Sequence, residues 1–313
     1  TLLRENLSAL LAVHGEHHHM TLATLNNLGL TLQKQDKLDE AADMFQTAYY
    51  GFCRTFGDKH PQTMRQMNAV AEAWQAQGKV SEAASLMQHA LVQLQSARPD
   101  SSDPDHDFVL LTTAIVGNNL GNLLLKHGNL NQAKAYIEQA HEMVLKLRGE
   151  RHPETFTIMM SVALLRHEEG RHAEALDVYR EVCAGREVCL GADHPDTCTV
   201  RNNLATLYVD CGQTEEAVAL LRDVLDIRVR TLGEMHRDTL ASRHSLGILL
   251  SRQDDRHDQQ EGETLLRQAS NGREDVLGPA HPDTLKSTCD LGSVLVRTGA
   301  VDDGEALLRR AYS

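Results

Sequence analysis

Histidine is the residue type with the greatest capacity for chemistry in this chain of 313 residues, which contains 17 of them. An imidazole can ligate a metal or move a proton near neutral pH. Several of these histidines, however, recur at one position of a repeated loop, and a residue that recurs once per copy is typical of a structural role. We therefore expect hydrogen bonds across the loop from His18, His60, His152, His194, His236 and His281.

Two other histidines imitate the zinc-binding helix of metalloproteases. Glu168 follows His167, but the second histidine, His172, comes five residues after the first instead of four, and Gly170 lies between them. Two imidazoles at this spacing do not share one face of a helix. The sequence therefore predicts no catalytic metal, and it predicts no cofactor.

The cysteines show neither a C-x-x-C pair nor the dense spacing of a disulfide framework. In a chain of this size, that pattern is typical of reduced, half-buried core residues in an intracellular protein. The motif G-x-S-x-G of serine hydrolases and the phosphate-binding motif G-x-x-x-x-G-K-[ST] do not occur. We predict a cytoplasmic protein that is not an enzyme. Its cysteines are Cys53, Cys183, Cys189, Cys198, Cys211 and Cys289.

The chain is acidic, with 31 Lys and Arg residues against 44 Asp and Glu residues and a formal net charge of −13. This balance disfavours a phosphate-backbone partner, and an aromatic content of 4% leaves few side chains on which bases could stack. The most apolar window, Phe108–Val116, is too short to span a bilayer. We expect neither nucleic acid binding nor membrane insertion.

A repeat of about 42 residues organises the sequence. The heptapeptides GERHPET at Gly149, GADHPDT at Gly191 and GEMHRDT at Gly233 begin 42 residues apart, and GPAHPDT follows at Gly278. One copy lacks the loop motif and follows an insertion at Ser96–His106, whose role the sequence leaves open. We predict the tail helix of a preceding, truncated repeat at 1–14 and one domain at 15–313. Its seven repeats are 15–56, 57–106, 107–148, 149–190, 191–232, 233–277 and 278–313.

Each repeat holds two helical patterns. The first begins at the loop proline, whose fixed φ and missing N–H suit the first turn of a helix. A turn glycine ends it in five copies; Asp36 and Asp254 take that place in the other two, where we expect left-handed caps. A second insertion, Asp254–Gln260, is expected in an inter-helix loop. Small residues such as Ala133 and Ala217 indicate close packing, and two such helices must stack on neighbouring repeats to bury their apolar faces.

The motifs G-x-x-H-P-x-T, N-N-L-[AG] and E-A-x-x-[LMFY] together resemble the tetratricopeptide repeat in its 42-residue, kinesin-light-chain-like form. The resemblance covers essentially the whole chain. It implies an all-α fold, a right-handed α-solenoid (superhelix) of antiparallel helix pairs, whose first helices line a concave groove. It further implies that these residues face a bound peptide: Asn26, Lys34, Arg65, Asn68, Asn118, Asn119, Asn122, Lys126, Met160, Asn202, Asn203, Thr206 and His244.

Asparagine dominates those positions, although it lowers helix propensity. Its amide both donates and accepts hydrogen bonds, so it could pair with an extended peptide backbone. The alternative is that the asparagines tie neighbouring helices together. A clamp for a carboxylate, built from Lys or Arg beside Asn, is expected near Asn26, Lys34, Arg65 and Asn68.

The sequence therefore predicts a non-catalytic protein–protein interaction scaffold or adaptor that binds a peptide or protein segment in its concave groove. Two alternatives stay open. The chain could be the ligand-sensing repeat arm of a larger nucleotide-switch (P-loop) signalling protein, or the cargo-binding domain of a kinesin-light-chain-like motor adaptor. It contains no heptad region to hold a motor heavy chain. Both ends fall inside a repeat, so self-association through uncapped solenoid ends is a further expectation.

Overall fold

The computed structural model describes residues 2–96 and 105–312, which contain fifteen helices and no β-strand. The all-α prediction is confirmed for these residues. Most of the insertion at Ser96–His106 lies outside the described residues. Two compact units divide the chain, Thr1–Arg171 and His172–Ser313.

The first unit contains eight helices within its described residues. Three short turns join helix pairs, and the second helix of each pair also packs against the first helix of the next. The sixth helix contacts both the fourth and the eighth, so first helices adjoin one another. The bounds are α1 Leu2–His14, α2 His19–Lys34, α3 Leu38–Phe56, α4 Pro61–Ala76, α5 Val80–Ser96, α6 His106–Lys126, α7 Leu130–Arg148 and α8 Pro153–Glu168.

The second unit repeats the arrangement with seven helices among its described residues. The helices pair in the same order, and α12 and α14 are neighbouring first helices in contact. The bounds are α9 His172–Leu190, α10 Pro195–Asp210, α11 Thr214–Leu232, α12 Arg237–Ser251, α13 Arg256–Leu277, α14 Pro282–Thr298 and α15 Val301–Tyr312.

The six recurring histidines cap the first helices. In each, ring Nδ1 accepts a hydrogen bond from the backbone N–H two residues later, at 3.1–3.3 Å. The bond pairs one of the N–H groups that every helix start leaves without an internal partner. The loop proline follows as the first residue of α4, α8, α10 and α14. The structural role predicted for these histidines is confirmed, in the form of an N-cap.

A buried threonine closes the same loop. Thr239 Oγ1 donates to the Gly233 carbonyl at 2.8 Å, and equivalent bonds of 2.7–2.9 Å recur in four other repeats. The last repeat differs. Thr284 is 1% exposed, but its Oγ1 has no hydrogen-bond partner in the described part of the chain.

The turns between paired helices confirm the glycine prediction and correct one aspartate. The five turn glycines have φ between 74° and 99°, and Asp36 takes the same left-handed conformation at φ 62°. Asp254 does not, because α12 ends at Ser251 and Asp255 caps α13 instead. The expectation that Asp254–Gln260 forms a loop is also wrong, since α13 begins at Arg256. The extra residues lengthen that helix to 22 residues, against 19 in α11.

Close packing at the small positions is confirmed. Ala133 and Ala217 are fully buried. A Cβ added to Gly262 on α13 would lie 2.6 Å from the backbone nitrogen of Ser251 and 2.7 Å from the carbonyl oxygen of Gly247 on α12. Because backbone atoms cannot move aside as a side chain can, only glycine fits at this contact.

Among the described residues, α6 has the length and apolar composition that a bilayer-spanning helix requires. It extends well beyond the nine-residue window visible in the sequence, and 61% of its most apolar stretch is buried inside the protein. Its apolar side chains pack into clusters with residues of α4, α5, α7 and α8. This is the burial pattern of a core helix.

Candidate functional site: a polar strip on the first helices

Neighbouring first helices of the first unit bring five polar residues together. We call them the polar strip: Asn68 and Glu72 on α4, and Asn118, Asn119 and Asn122 on α6. Asn68 and Glu72 are one helical turn apart, as are Asn118 and Asn122, so each pair shares a helix face. Four of the five belong to the residues that the sequence marks as peptide-facing.

Glu72 is the centre of the strip. Its Oε1 accepts from the side-chain amide of Asn68 at 2.7 Å and from the side-chain amide of Asn119, which reaches across from α6. Asn119 also donates to Asn68 Oδ1 at 3.5 Å. Burial of the carboxylate raises the pKa of Glu72, and the hydrogen bond from Asn68 partly offsets this effect. By the resemblance, Glu72 also falls on a groove position, but the sequence did not show that it gathers the asparagines.

The strip continues from α6 to α8 but leaves acceptors without donors. The Asn122 side-chain amide donates to Ser161 Oγ at 2.9 Å. The Oδ1 atoms of Asn118 and Asn122 are buried, and neither has a hydrogen-bond partner among the described residues. Asn118 is only 5% exposed. Asn119 and Asn122 therefore tie helices together, as the alternative interpretation held, while the two orphaned oxygens still require a donor.

The other sequence-marked residues of the first unit lie on α2, α4, α6 and α8. Lys34, Arg65 and Lys126 are exposed, whereas Asn26 and Met160 are half-buried. The hydrogen bonds of the strip involve none of these five residues. The carboxylate clamp predicted near Asn26, Lys34 and Arg65 stays a prediction.

In the second unit, the sequence-marked residues form two separate arrangements. Asn202 Oδ1 on α10 is buried without a partner in the described residues, and Thr206 Oγ1 donates to the Asn202 carbonyl at 3.2 Å. Asn203 is half-buried and Thr206 is exposed. On α12, His244 Nε2 lies 2.9 Å from Asp290 Oδ2 of α14.

His244 is 8% exposed, and its environment favours the neutral imidazole. Burial and the positive charge of Arg273 lower the pKa of His244, whereas the neighbouring Asp290 carboxylate raises it. Lys286 also lowers the pKa. Unlike Glu72 of the polar strip, His244 therefore lies beside charged groups of the protein itself, Asp290 and Arg273.

Sequence reasoning missed a series of buried arginines that join second helices to the first helices that follow. Arg228 Nη1 donates to the Asp238 carbonyl at 3.0 Å and to Ser242 Oγ at 2.7 Å. Arg186 and Arg273 make the equivalent carbonyl bonds, at 3.3 and 3.1 Å. The three are 6–7% exposed. Their spacing of one repeat was a readable signal, but alternation with acidic residues suggested a solvated face.

Two of the cysteines are poorly suited to act as nucleophiles. Burial raises the pKa of Cys183 to about 11 and also raises that of Cys198. A thiol with a raised pKa is rarely the reactive thiolate at neutral pH. All six cysteines are free, and most are buried or half-buried as predicted. Cys189 is exposed instead, since it lies beside the exposed Val188 in the last turn of α9.

Two further features of the described residues lie apart from the strip. A shallow cavity of about 430 Å³ lies between α4 and α5 and is lined by Trp74 and Leu86. Asp255, His257 and Asp258 place possible metal-ligating atoms within 4.8 Å of one another. Asp255 already caps α13 with its Oδ2. The exposure of this cluster and its place at a helix start are those of an ordinary cap.

Comparison with known proteins identifies the class. Two models of the tetratricopeptide repeat match the chain, one over residues 112–187 and the other over residues 21–62, 197–238 and 239–283. Together they cover more than half of the sequence, and the chain belongs to the tetratricopeptide repeat family. Within this family it is of the kinesin-light-chain-like type, as the solved structures show. No curated protein matches the chain.

Solved structures of similar fold come from two groups. The nearly identical TPR-like repeats of a kinesin light chain from Podosopora anserina are 26% identical, with a TM-score of 0.53, over 63% of this chain and 92% of that one. BtubC (BKLC) from P. vanneervenii is 20% identical over 80% of this chain and 93% of that one, with a TM-score of 0.56. The Rap conjugation gene regulator of plasmid pLS20, in complex with the Phr* peptide, is 15% identical over 93% of this chain and 72% of that one, with a TM-score of 0.64.

Proposed function

We propose that this chain is a non-catalytic scaffold whose first helices bind a peptide or protein segment. The observation that carries the proposal is the set of buried side-chain oxygens without donors on those helices, at Asn118, Asn122 and Asn202. A buried acceptor without a donor costs free energy, so such atoms are uncommon unless something else supplies the hydrogen bond. The N–H groups of an extended backbone are suitable donors once these side chains, whose oxygens are buried in the free protein, turn toward the ligand.

The comparisons support this class of ligand. The Rap regulator of plasmid pLS20, whose fold is similar, was solved in complex with a peptide. We propose that the seven repeats at 15–313 form the binding region and that the protein acts in the cytoplasm. The proposal includes no catalytic step, because the two most deeply buried thiols have raised pKa values and the strip carboxylate is held by amides.

The test is to select binders from a displayed library of random short peptides on the whole chain and to measure the affinity of the best one. Asn118→Ala and Asn202→Ala each remove one orphaned acceptor, in the first and in the second unit. The variant in the unit that holds the peptide should bind about fivefold more weakly, because one hydrogen bond contributes about 1 kcal/mol. Its melting temperature should change little, since no internal hydrogen bond is lost at that oxygen.

Arg222→Ala is the matched control. Arg222 is exposed on the second helix α11 and pairs with Glu261 of α13 at 2.7 Å. Exposed ion pairs contribute little to stability, so this variant should fold and bind as the parent does. Full affinity in both asparagine variants, together with weaker binding in the Arg222 variant, would move the site to the second helices.

One narrower version of the function is favoured by the likeness to kinesin light chain repeats, namely the cargo-binding part of a motor adaptor. The competing version is the sensing arm of a nucleotide-switch protein. The two are distinguished by what accompanies the repeats in a longer chain. A heptad region favours the motor adaptor, whereas a P-loop domain favours the sensing arm.

A further inference from the structure

The polar strip of the first unit holds a carboxylate that has hydrogen-bond donors but, within the part of the chain that the structure describes, no cationic partner. Glu72 accepts from the amides of Asn68 and Asn119, both of which are neutral. Neutral donors stabilise a carboxylate less than ammonium or guanidinium groups do. The two effects on the pKa of Glu72 are its burial and the Asn68 hydrogen bond, and neither is a charge. When it is ionised, the Glu72 carboxylate therefore has no counter-charge among the described residues.

Glu169, another carboxylate of the same unit whose side chain is mostly buried, has cationic partners and contrasts with Glu72. Glu169 at the end of α8 lies 2.7 Å from Lys134 Nζ, 2.9 Å from Arg166 Nη1 and 3.0 Å from Arg171 Nη1. A carboxylate that is partly removed from water, as Glu72 is, is more stable with such a partner, because an unpaired charge costs more the less water surrounds it.

The neighbouring atoms of the strip show the same deficit of donors. Asn118 Oδ1 and Asn122 Oδ1 are one turn apart on α6, and both are buried without a donor in the described residues. Asn119, which donates to Glu72, lies between them in the sequence. A ligand at this place must bring N–H groups rather than acceptors. Lysine supplies three donors and arginine five, each with a positive charge.

We propose that the first unit selects a peptide segment that carries a lysine or arginine, whose cation pairs with Glu72 while its backbone follows the polar strip. This inference rests on the proposed function and adds the chemistry of the partner. The formal net charge of −13 supports it, because a strongly acidic protein attracts and orients cationic ligands before contact.

The experiment uses the whole chain and the best peptide selected from the random library, together with an analogue in which its basic residue is replaced by norleucine. The parent should lose about tenfold or more in affinity for the analogue, the range expected for a charge-assisted hydrogen bond. Glu72→Gln keeps the shape of the side chain and one acceptor oxygen but removes the charge. This variant should bind the two peptides equally.

Two checks separate this effect from a general defect. Glu142→Gln removes a carboxylate on the second helix α7, 68% exposed and paired with Lys146, and it should discriminate between the peptides as the parent does. The melting temperature of Glu72→Gln should be no lower than that of the parent, since burial disfavours the charged form that the substitution removes.

The outcomes distinguish this inference from the function on which it rests. If Asn118→Ala weakens binding of the selected peptide but that peptide contains no basic residue, the scaffold function holds and the role of Glu72 is overturned. Discrimination of the two peptides that survives in Glu72→Gln would overturn it as well. If the parent selects no peptide at all, the proposed function fails and the inference fails with it.

Discussion

Two buried glycines, one turn apart on α6, should respond in opposite directions to the same substitution. A Cβ at Gly121 would lie 2.6 Å from Ile137 Cγ1 and 3.2 Å from the Ala133 carbonyl oxygen. At Gly117 the nearest atom, the Tyr136 carbonyl oxygen, lies 3.9 Å away, which is an ordinary contact. Both glycines lie on α6 and both are buried, so the two sites differ chiefly in the space available for a Cβ.

The magnitudes follow from two effects. Alanine is preferred over glycine in a helix by about 1 kcal/mol, and both variants gain this preference. Gly121→Ala also incurs overpacking of about 1–3 kcal/mol. The clash is not easily relieved, because Ile137 is fully buried and a β-branched side chain has few alternative rotamers. We expect Gly117→Ala to stabilise the protein by up to about 1 kcal/mol and Gly121→Ala to destabilise it by about 1 kcal/mol.

Thermal unfolding followed by far-ultraviolet circular dichroism measures the difference. A gap of about 2 kcal/mol in a unit of this size corresponds to about 4–8 °C between the two variants. The parent should melt between them. Melting temperatures that move in the same direction in both variants would refute the reasoning, since helix propensity alone would then account for the result.

Two further predictions concern hydrogen bonds and charge. Thr239→Val should destabilise the protein by about 1 kcal/mol, because Thr239 donates a hydrogen bond. Thr284→Val should be neutral or stabilising, because the Thr284 hydroxyl has no partner in the described residues. Urea unfolding of the two variants measures both effects. The hydrogen bond from Lys134 is the main cause that lowers the pKa of Glu169 to about 2. The stabilisation from this carboxylate is therefore present above about pH 4.5 and is lost as the pH falls through 2. The gap in melting temperature between the parent and Glu169→Gln should therefore close on acidification. A gap that stays constant with pH, or an equal gap for the exposed Glu142→Gln, would contradict this account.

Local signals in the sequence predicted most of the fold. The histidine caps, the proline starts and the glycine turns each depend on residues within six positions of one another, so their geometry follows from the chain itself. Asp254 shows where this fails. An insertion can lengthen either a loop or a helix, and here the added residues joined α13, where Asp255 caps the helix instead.

The candidate site depended on distant contacts and was therefore harder to predict. The asparagines at recurring helix positions were visible in the sequence, but their partners were not. Asn119 reaches Glu72 across 47 residues, a separation that includes the insertion before α6. Only the packing of α4 against α6 decides whether an amide turns toward a neighbouring helix or is left without a partner. No local pattern contains that information.

The repeat positions differ in how far their chemistry can vary, and this bears on the ligand. Where backbones touch, as at Gly262, geometry admits only the smallest residue. Where two helices join, the site must be filled and its polar atoms paired. Val144 and Arg228 occupy equivalent places two repeats apart, both are buried, and Arg228 donates to Asp238 and Ser242. On the first helices neither constraint is strict: one position holds Asn118, Met160 and His244 in different repeats. Since the fold does not fix this position, its chemistry can differ from repeat to repeat, which is what the proposed recognition of a ligand requires.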